Sequence, residues 1–257
     1  MDCLEGMQLI DNNSIDLIIT SLPYADLRDY GNGIDKIKPD DYNNWFIPIA
    51  KEIIRILKPD GNFILNINDR VVNGERHTYV FELVLKLKNL GFKFIDTYIW
   101  DKISVAPPGV KKRCIDVFEY VFWFSKTLDY KFDMNEILRP YSESSLQRFK
   151  YKYSKSQKIN YTTKDKFIEA NPKGAKPFNL LRISSCKKKK EHIAVFPEEL
   201  IEFYIKANSK IGDLILDPFM GSGTTGIVAK KYKRNFVGFE LNTTYCDLAN
   251  KRILDIV

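Results

Sequence analysis

The 257-residue chain is 44% hydrophobic and carries a formal net charge of +7, a composition that supports one large domain with a buried core. Its longest apolar runs are strand-sized, too short to cross a bilayer, and the opening MDCLEGMQLIDNN lacks a secretory pattern, so a cytoplasmic protein without membrane attachment is expected. The four cysteines, Cys3, Cys114, Cys186 and Cys246, form neither a CxxC pair nor a Cys/His cluster, which argues against a metal site or a disulfide framework.

In chain order, residues 15–20 (IDLIIT) form a short apolar run after Asn-Asn-Ser, as a buried parallel strand would. Residues 41–57 set Trp45, Phe46, Ile49, Ile53, Ile56 and Leu57 at three- and four-residue spacing, which predicts a helix. Lys58-Pro59-Asp60-Gly61 reads as a turn. A strand over 62–68 follows, then a helix over 78–90 closed by Gly91. Strands over 92–100 and 117–125 flank a Pro-Pro-Gly loop and the basic Lys111-Lys112-Arg113. From about 128 to 190 no apolar period is sustained. Regularity returns at Phe196, with a helix over 197–206, a strand over 211–216, a helix over 224–232, a strand over 235–240 and a helix over 243–254. Alternation on both sides of the irregular stretch predicts an α/β fold whose largely parallel sheet is built from both ends of the chain.

The positive charge belongs to that irregular stretch. Residues 148–190 hold fourteen Lys/Arg against Asp165 and Glu169, so they carry +12 and the remainder carries −5. Tyr151, Tyr153 and Tyr161 are interleaved with the lysines. Such a segment suits a polyanion, although a solvated lysine face has the same composition.

Asp217-Pro218-Phe219-Met220-Gly221-Ser222-Gly223-Thr224-Thr225-Gly226 leaves a strand and opens a helix. Glycines at such a corner let the backbone approach a ligand. Glu240 ends the next strand, where a carboxylate can accept from two ribose hydroxyls. Asp217 puts negative charge beside the glycines, which favours a cationic ligand. The same glycines fit a nicotinamide oxidoreductase, but beyond the helix they open only one strand and one helix follow, leaving no second mononucleotide-binding half.

DPFMGSGTT followed by NFVGFE resembles the cofactor motifs of the permuted, or beta, group of DNA amino-methyltransferases, which use S-adenosylmethionine. HIAVFP at 192–197 resembles the motif preceding them, and DCLEGM at 2–7 a further one. The resemblance implies that Asp2, His192, Phe196, Asp217, Pro218, Phe219, Gly221, Gly223, Thr224 and Glu240 line the cofactor pocket, with Asp2 approaching the adenine. It also implies the S-adenosylmethionine-dependent methyltransferase fold, a mostly parallel doubly wound sheet with an antiparallel hairpin. On that plan residues 1–128 form the catalytic part, 129–190 a small inserted target-recognition region, and 191–257 the cofactor-binding part.

Ser21-Leu22-Pro23-Tyr24 leaves the first strand at its carboxyl end, where open α/β sheets bind ligands. It resembles the family's catalytic motif, with Leu22 where a proline is usual. An exocyclic amino group is a poor nucleophile because its lone pair is delocalised into the ring. Two acceptors aimed at its N–H bonds, Ser21 Oγ and the Leu22 carbonyl, would localise that pair, and Tyr24 would stack on a base flipped from double-stranded DNA. Serine at the first position, together with the WDK and EYVF stretches at 100–102 and 119–122, is most similar to the cytosine-N4 members. The alternatives are an adenine-N6 enzyme and a DNA-binding module that kept the fold without the activity. No cysteine follows a proline, which argues against cytosine-C5 chemistry. Arg28 in the loop after the motif, with Lys111, Lys112, Arg113, Lys187 and Lys188, are the expected DNA contacts. A restriction endonuclease acting on the same site is the expected partner; the oligomeric state is open.

Overall fold

The computed structural model describes residues 1–23, 25, 37–103, 112–150, 171–185 and 197–256, without the side chains of 148 and 150. Among them the central sheet has seven strands in the order β7-β5-β6-β2-β1-β8-β9. At its middle, β1 (Ile15–Ser21) lies parallel to β2 (Leu57–Ile67) and to β8 (Leu214–Asp217). β9 (Asn235–Gly238) extends the sheet in parallel beyond β8. On the other side β6 (Phe118–Ser125) runs antiparallel to both β2 and β5 (Lys93–Asp101), and β7 (Leu180–Arg182) lies parallel to β5. The sheet is thus mostly parallel with one antiparallel hairpin, as the sequence resemblance implies.

Helices cover both faces, and that is why the central strands are buried on successive residues and largely apolar rather than apolar on alternate ones. On one face α1 (Cys3–Gln8), α2 (Pro39–Ile56) and α3 (Tyr79–Asn89) bury Met7, Phe46, Ile53, Leu83 and Leu87 against Ile18, Phe63, Leu65 and Phe124. On the other, α5 (Glu198–Asn208) and α6 (Thr224–Lys231) bury Leu200, Tyr204, Ile205 and Val228 against Leu17, Ile19, Ile64 and Trp123. α7 (Thr243–Leu254) packs on α6. Helix α4 (Glu143–Lys150) lies in the stretch between β6 and β7. No helix among the described residues is long and apolar enough to cross a membrane.

Two details depart from the sequence reading. Residues 58–61 do not turn. They continue β2, and the register slips so that Ile15 faces Leu57 while Leu17 faces Asn62. The excess residues are held by Lys131 N donating to Asp60 O at 3.0 Å and Thr127 Oγ1 donating to Pro59 O at 2.9 Å. The irregular stretch also shares the main core: Phe132 and Tyr130 pack on Trp123, and β7 joins the sheet edge.

A buried charge ties the amino ends of the strands together. Asp16, 1% exposed, accepts from Lys58 Nζ at 2.7 Å and from Leu214 N at 2.9 Å, and is also reached by Lys131. Removing the negative charge leaves two lysines facing a neutral side chain. Asp16→Asn is therefore expected to lower unfolding free energy by about 3 kcal/mol in urea titration.

Candidate active site

The carboxyl ends of β1 and β8 lie side by side and are joined by one carboxylate. Asp217 Oδ1 accepts from Thr20 Oγ1 at 2.8 Å and from Phe219 N at 3.1 Å; Oδ2 accepts from Thr225 Oγ1 at 2.6 Å. The side chain is almost fully buried, so its charge serves three internal donors rather than an open cleft. Burial pushes its carboxyl up to about 6, aided by the nearby charge of Glu240 and opposed by the Thr225, Thr20 and Phe219 hydrogen bonds.

Beyond Asp217 the chain makes the glycine corner. Gly221 (φ +50°) and Gly223 (φ +80°) adopt left-handed angles. A Cβ on Gly223 would sit 2.8 Å from Ala249 Cβ, so this glycine lets the loop press against α7. A Cβ on Gly221 would meet nothing within 4 Å, so that position faces open space. Gly221 N donates to Glu240 Oε2 at 3.1 Å, and Asn242 N donates to Glu240 Oε1 at 2.8 Å. Arg252 of α7 holds the loop from behind, donating to Ser222 O at 2.6 Å and Oγ at 2.8 Å. Pro218 and Thr224 are buried, and the Phe219 ring lies 5.7 Å from that of Trp45. Asp2 caps α1, Oδ1 accepting from Leu4 N at 2.8 Å. Helix α1 meets this edge closely, since a Cβ on Gly6 would overlap the Phe239 ring.

One strand away, Ser21 ends β1. Its hydroxyl donates to Asn66 Oδ1 at 3.0 Å, and Leu22 N donates to Asn66 O at 3.2 Å. The Leu22 side chain is buried in the core. A proline there could not make that N–H bond, so this position supplies a donor as well as packing. Pro23 O accepts from Tyr42 OH at 2.7 Å. Arg70 donates to Ala25 O at 3.0 Å, and Arg76 links Asp69 to Asp116, which also bonds Arg113. The 25 and 112–116 segments are thus braced by one hairpin, β3 (Val71–Val72) and β4 (Glu75–Arg76).

The structure therefore brings Ser21, Leu22 and Pro23 to the same sheet edge as Asp217, Pro218, Phe219, Gly221, Gly223, Thr224 and Glu240. Lys112 and Arg113 are exposed. Tyr24, Arg28, Lys111, Lys187, Lys188, His192 and Phe196 lie outside the described residues. Sequence reasoning did not single out Thr20, Asn66, Thr225 or Arg252. A polar residue inside the apolar run NFILNI was the available signal for Asn66.

A family model described as DNA methylase matches residues 15–251. The orphan methyltransferase M.BamHII of Bacillus amyloliquefaciens is 33% identical over 96% of this chain and 92% of its own length. The type II methyltransferase M.PvuII of Proteus hauseri is 32% identical over 99% of this chain and 82% of its own. A solved structure of the PvuII DNA methyltransferase, named as cytosine-N4-specific, superposes with a TM-score of 0.75, 28% identity, and coverage of 99% of this chain and 85% of that one. The chain belongs to the DNA methylase family and is a DNA methyltransferase.

Two outcomes follow from this geometry. Because the Asp217 carboxyl is raised on folding, its contribution is fully present below its unfolded value and lost as pH rises through about 6. Asp217→Asn should therefore gain on the parent between pH 4 and pH 7, by on the order of 2 kcal/mol, in denaturant midpoints taken at both pH values. Gly223→Ala should cost about 2–3 kcal/mol, from backbone strain plus overlap with Ala249, whereas Gly221→Ala should cost about 1 kcal/mol from strain alone.

Proposed function

We propose that this DNA methyltransferase moves the methyl group of S-adenosylmethionine to the exocyclic N4 of cytosine in double-stranded DNA. The observation that carries the reading is the Ser21–Leu22–Pro23 bend one strand from an open glycine corner, the two joined through Thr20 and Asp217. Serine as the acceptor and the likeness to a cytosine-N4-specific enzyme support the choice of base.

The glycine corner fits the cofactor. Gly221 faces open space, so a ligand can approach its backbone. The Glu240 carboxylate, holding two backbone N–H groups, keeps further lone pairs for ribose hydroxyls. Phe219, Asp2, His192 and Phe196 would complete the pocket, with Pro218, Gly223, Thr224 and Asp217 shaping it. The cofactor supplies an electrophilic methyl group. Ser21 Oγ and the Leu22 carbonyl accept the two amino N–H bonds of the flipped base, which returns the nitrogen lone pair to the nucleophile. Tyr24 stacks on the ring and fixes the in-line approach. The proton lost from the methylated amino group passes to water.

Residues 1–128 and 191–257 together make the catalytic unit, and 129–190 the target-recognition region. Arg28, Lys111, Lys112, Arg113, Lys187 and Lys188 contact phosphates. The type II names of relatives such as M.PvuII support a place in a restriction-modification system, with a nuclease of the same site specificity as the proposed partner; the orphan name of M.BamHII does not speak for one.

Incubating purified protein with DNA and labelled cofactor, then resolving nucleosides by mass spectrometry, tests the reading. N4-methylcytosine is expected, and N6-methyladenine would overturn the choice of base. Ser21→Ala should lower kcat by about 100-fold or more while leaving the cofactor dissociation constant within about two-fold. Loss of cofactor binding in that variant would give Ser21 a structural role instead.

A further inference from the structure

We infer that Asn66 is a positioning residue that fixes the polarity of the Ser21 hydroxyl, so that Ser21 can meet the substrate amino group only as an acceptor. The inference rests on the methyl-transfer reading above and adds to it the residue that makes Ser21 competent.

A serine hydroxyl is ambivalent. It carries one hydrogen and two lone pairs, and the hydrogen rotates to whatever acceptor is nearest. Facing an amino group, a serine helps only if its lone pairs point outward and its hydrogen is committed elsewhere. Asn66 makes that commitment. Its Oδ1 accepts the Ser21 hydrogen at 3.0 Å, and an amide oxygen cannot donate in return. The amide could present its NH2 instead if it were free to flip, but Nδ2 donates to the Tyr120 carbonyl on β6 at 3.1 Å. A flip would set the amide oxygen against that carbonyl oxygen, two acceptors with no hydrogen between them. The residue is 2% exposed, so water does not compete.

The main chain of Asn66 reinforces the arrangement. Its carbonyl accepts from Leu22 N at 3.2 Å, so the bend is held to β2 by both side chain and backbone. The residue stands on the face of β2 that carries Ile64, packed against Val121 and Ile19. A buried amide among such neighbours costs free energy unless every polar atom is paired. Here each polar atom of the amide has a partner, and one of those partners is the serine of the bend. Asn66 is also uncharged. It orients the hydroxyl without taking a proton.

A double-mutant cycle tests this, with kcat and the cofactor dissociation constant measured for the parent, Ser21→Ala, Asn66→Ala and the double variant. Asn66→Ala should lose roughly 10- to 100-fold in kcat with cofactor binding unchanged, and should cost nothing further in the Ser21→Ala background. Independent, multiplying losses, or an Asn66→Ala enzyme as fast as the parent, would overturn the inference while leaving the methyl-transfer reading intact. A Ser21→Ala enzyme with parental kcat would overturn the role given to Ser21, and this inference with it, while absence of methyl transfer in the parent would overturn the methyl-transfer reading.

Asn66→Asp supplies a second measurement that does not depend on the alanine variant folding. An ionised carboxylate still accepts the Ser21 hydrogen, whereas a protonated one can donate and reverse the polarity. This variant should keep activity at high pH and lose more activity than the parent on the acid side, the parent's own profile carrying whatever Asp217 and Glu240 contribute. A pH profile superimposable on the parent's would overturn the inference.

Discussion

The site depends on one buried carboxylate. Asp217 joins the end of β8 to the end of β1 through Thr20, across 197 residues of chain, and reaches forward to Thr225 at the start of α6. Burying a carboxylate is costly unless its lone pairs are engaged, and here three donors engage them. That cost favours the arrangement in which all three donors reach the group. The glycine corner and the Ser21 bend are thereby held in one register.

From that anchor the two sides are built in different ways. The glycine corner is backbone. Its angles are left-handed at Gly221 and Gly223, its carboxylate partner Glu240 reaches across from the neighbouring strand end, and α7 presses on it through Ala249 and Arg252. The Ser21 bend is held largely by side chains, with the Asn66 amide beneath it and Tyr42 on the Pro23 carbonyl, besides the backbone bond from Leu22 N to Asn66 O. The division suits the tasks proposed for the two segments, cofactor binding at the glycine corner and orientation of an amino group at the bend. The first needs close approach, the second a particular donor and acceptor polarity.

Much of the architecture was legible because it is carried by long periodic segments. The apolar run at 15–20 and the three- and four-residue spacing over 41–57 correspond to β1 and α2 within two residues at each end. Short elements were not legible. Helix α1 has six residues, β7 has three, and the β3–β4 hairpin has two on each side, so none displays a period. The 58–61 segment has turn composition, yet it continues β2 because cross-chain partners at Thr127 and Lys131 take up its backbone groups.

By itself the sequence determined the types of the long elements, the two motifs and the chemistry each is suited to, because those depend on residue type and spacing along the chain. It also bore the likeness to a methyltransferase family that the comparisons bear out. Tertiary structure alone decided that Asp217 faces inward to Thr20, that Leu22 donates to Asn66 rather than merely replacing a proline, and that Asn66 rather than any neighbour in sequence receives the Ser21 hydrogen. Those are contacts between strands whose order is set by how the whole sheet closes, and no local pattern encodes which side chains will stand opposite one another once it does.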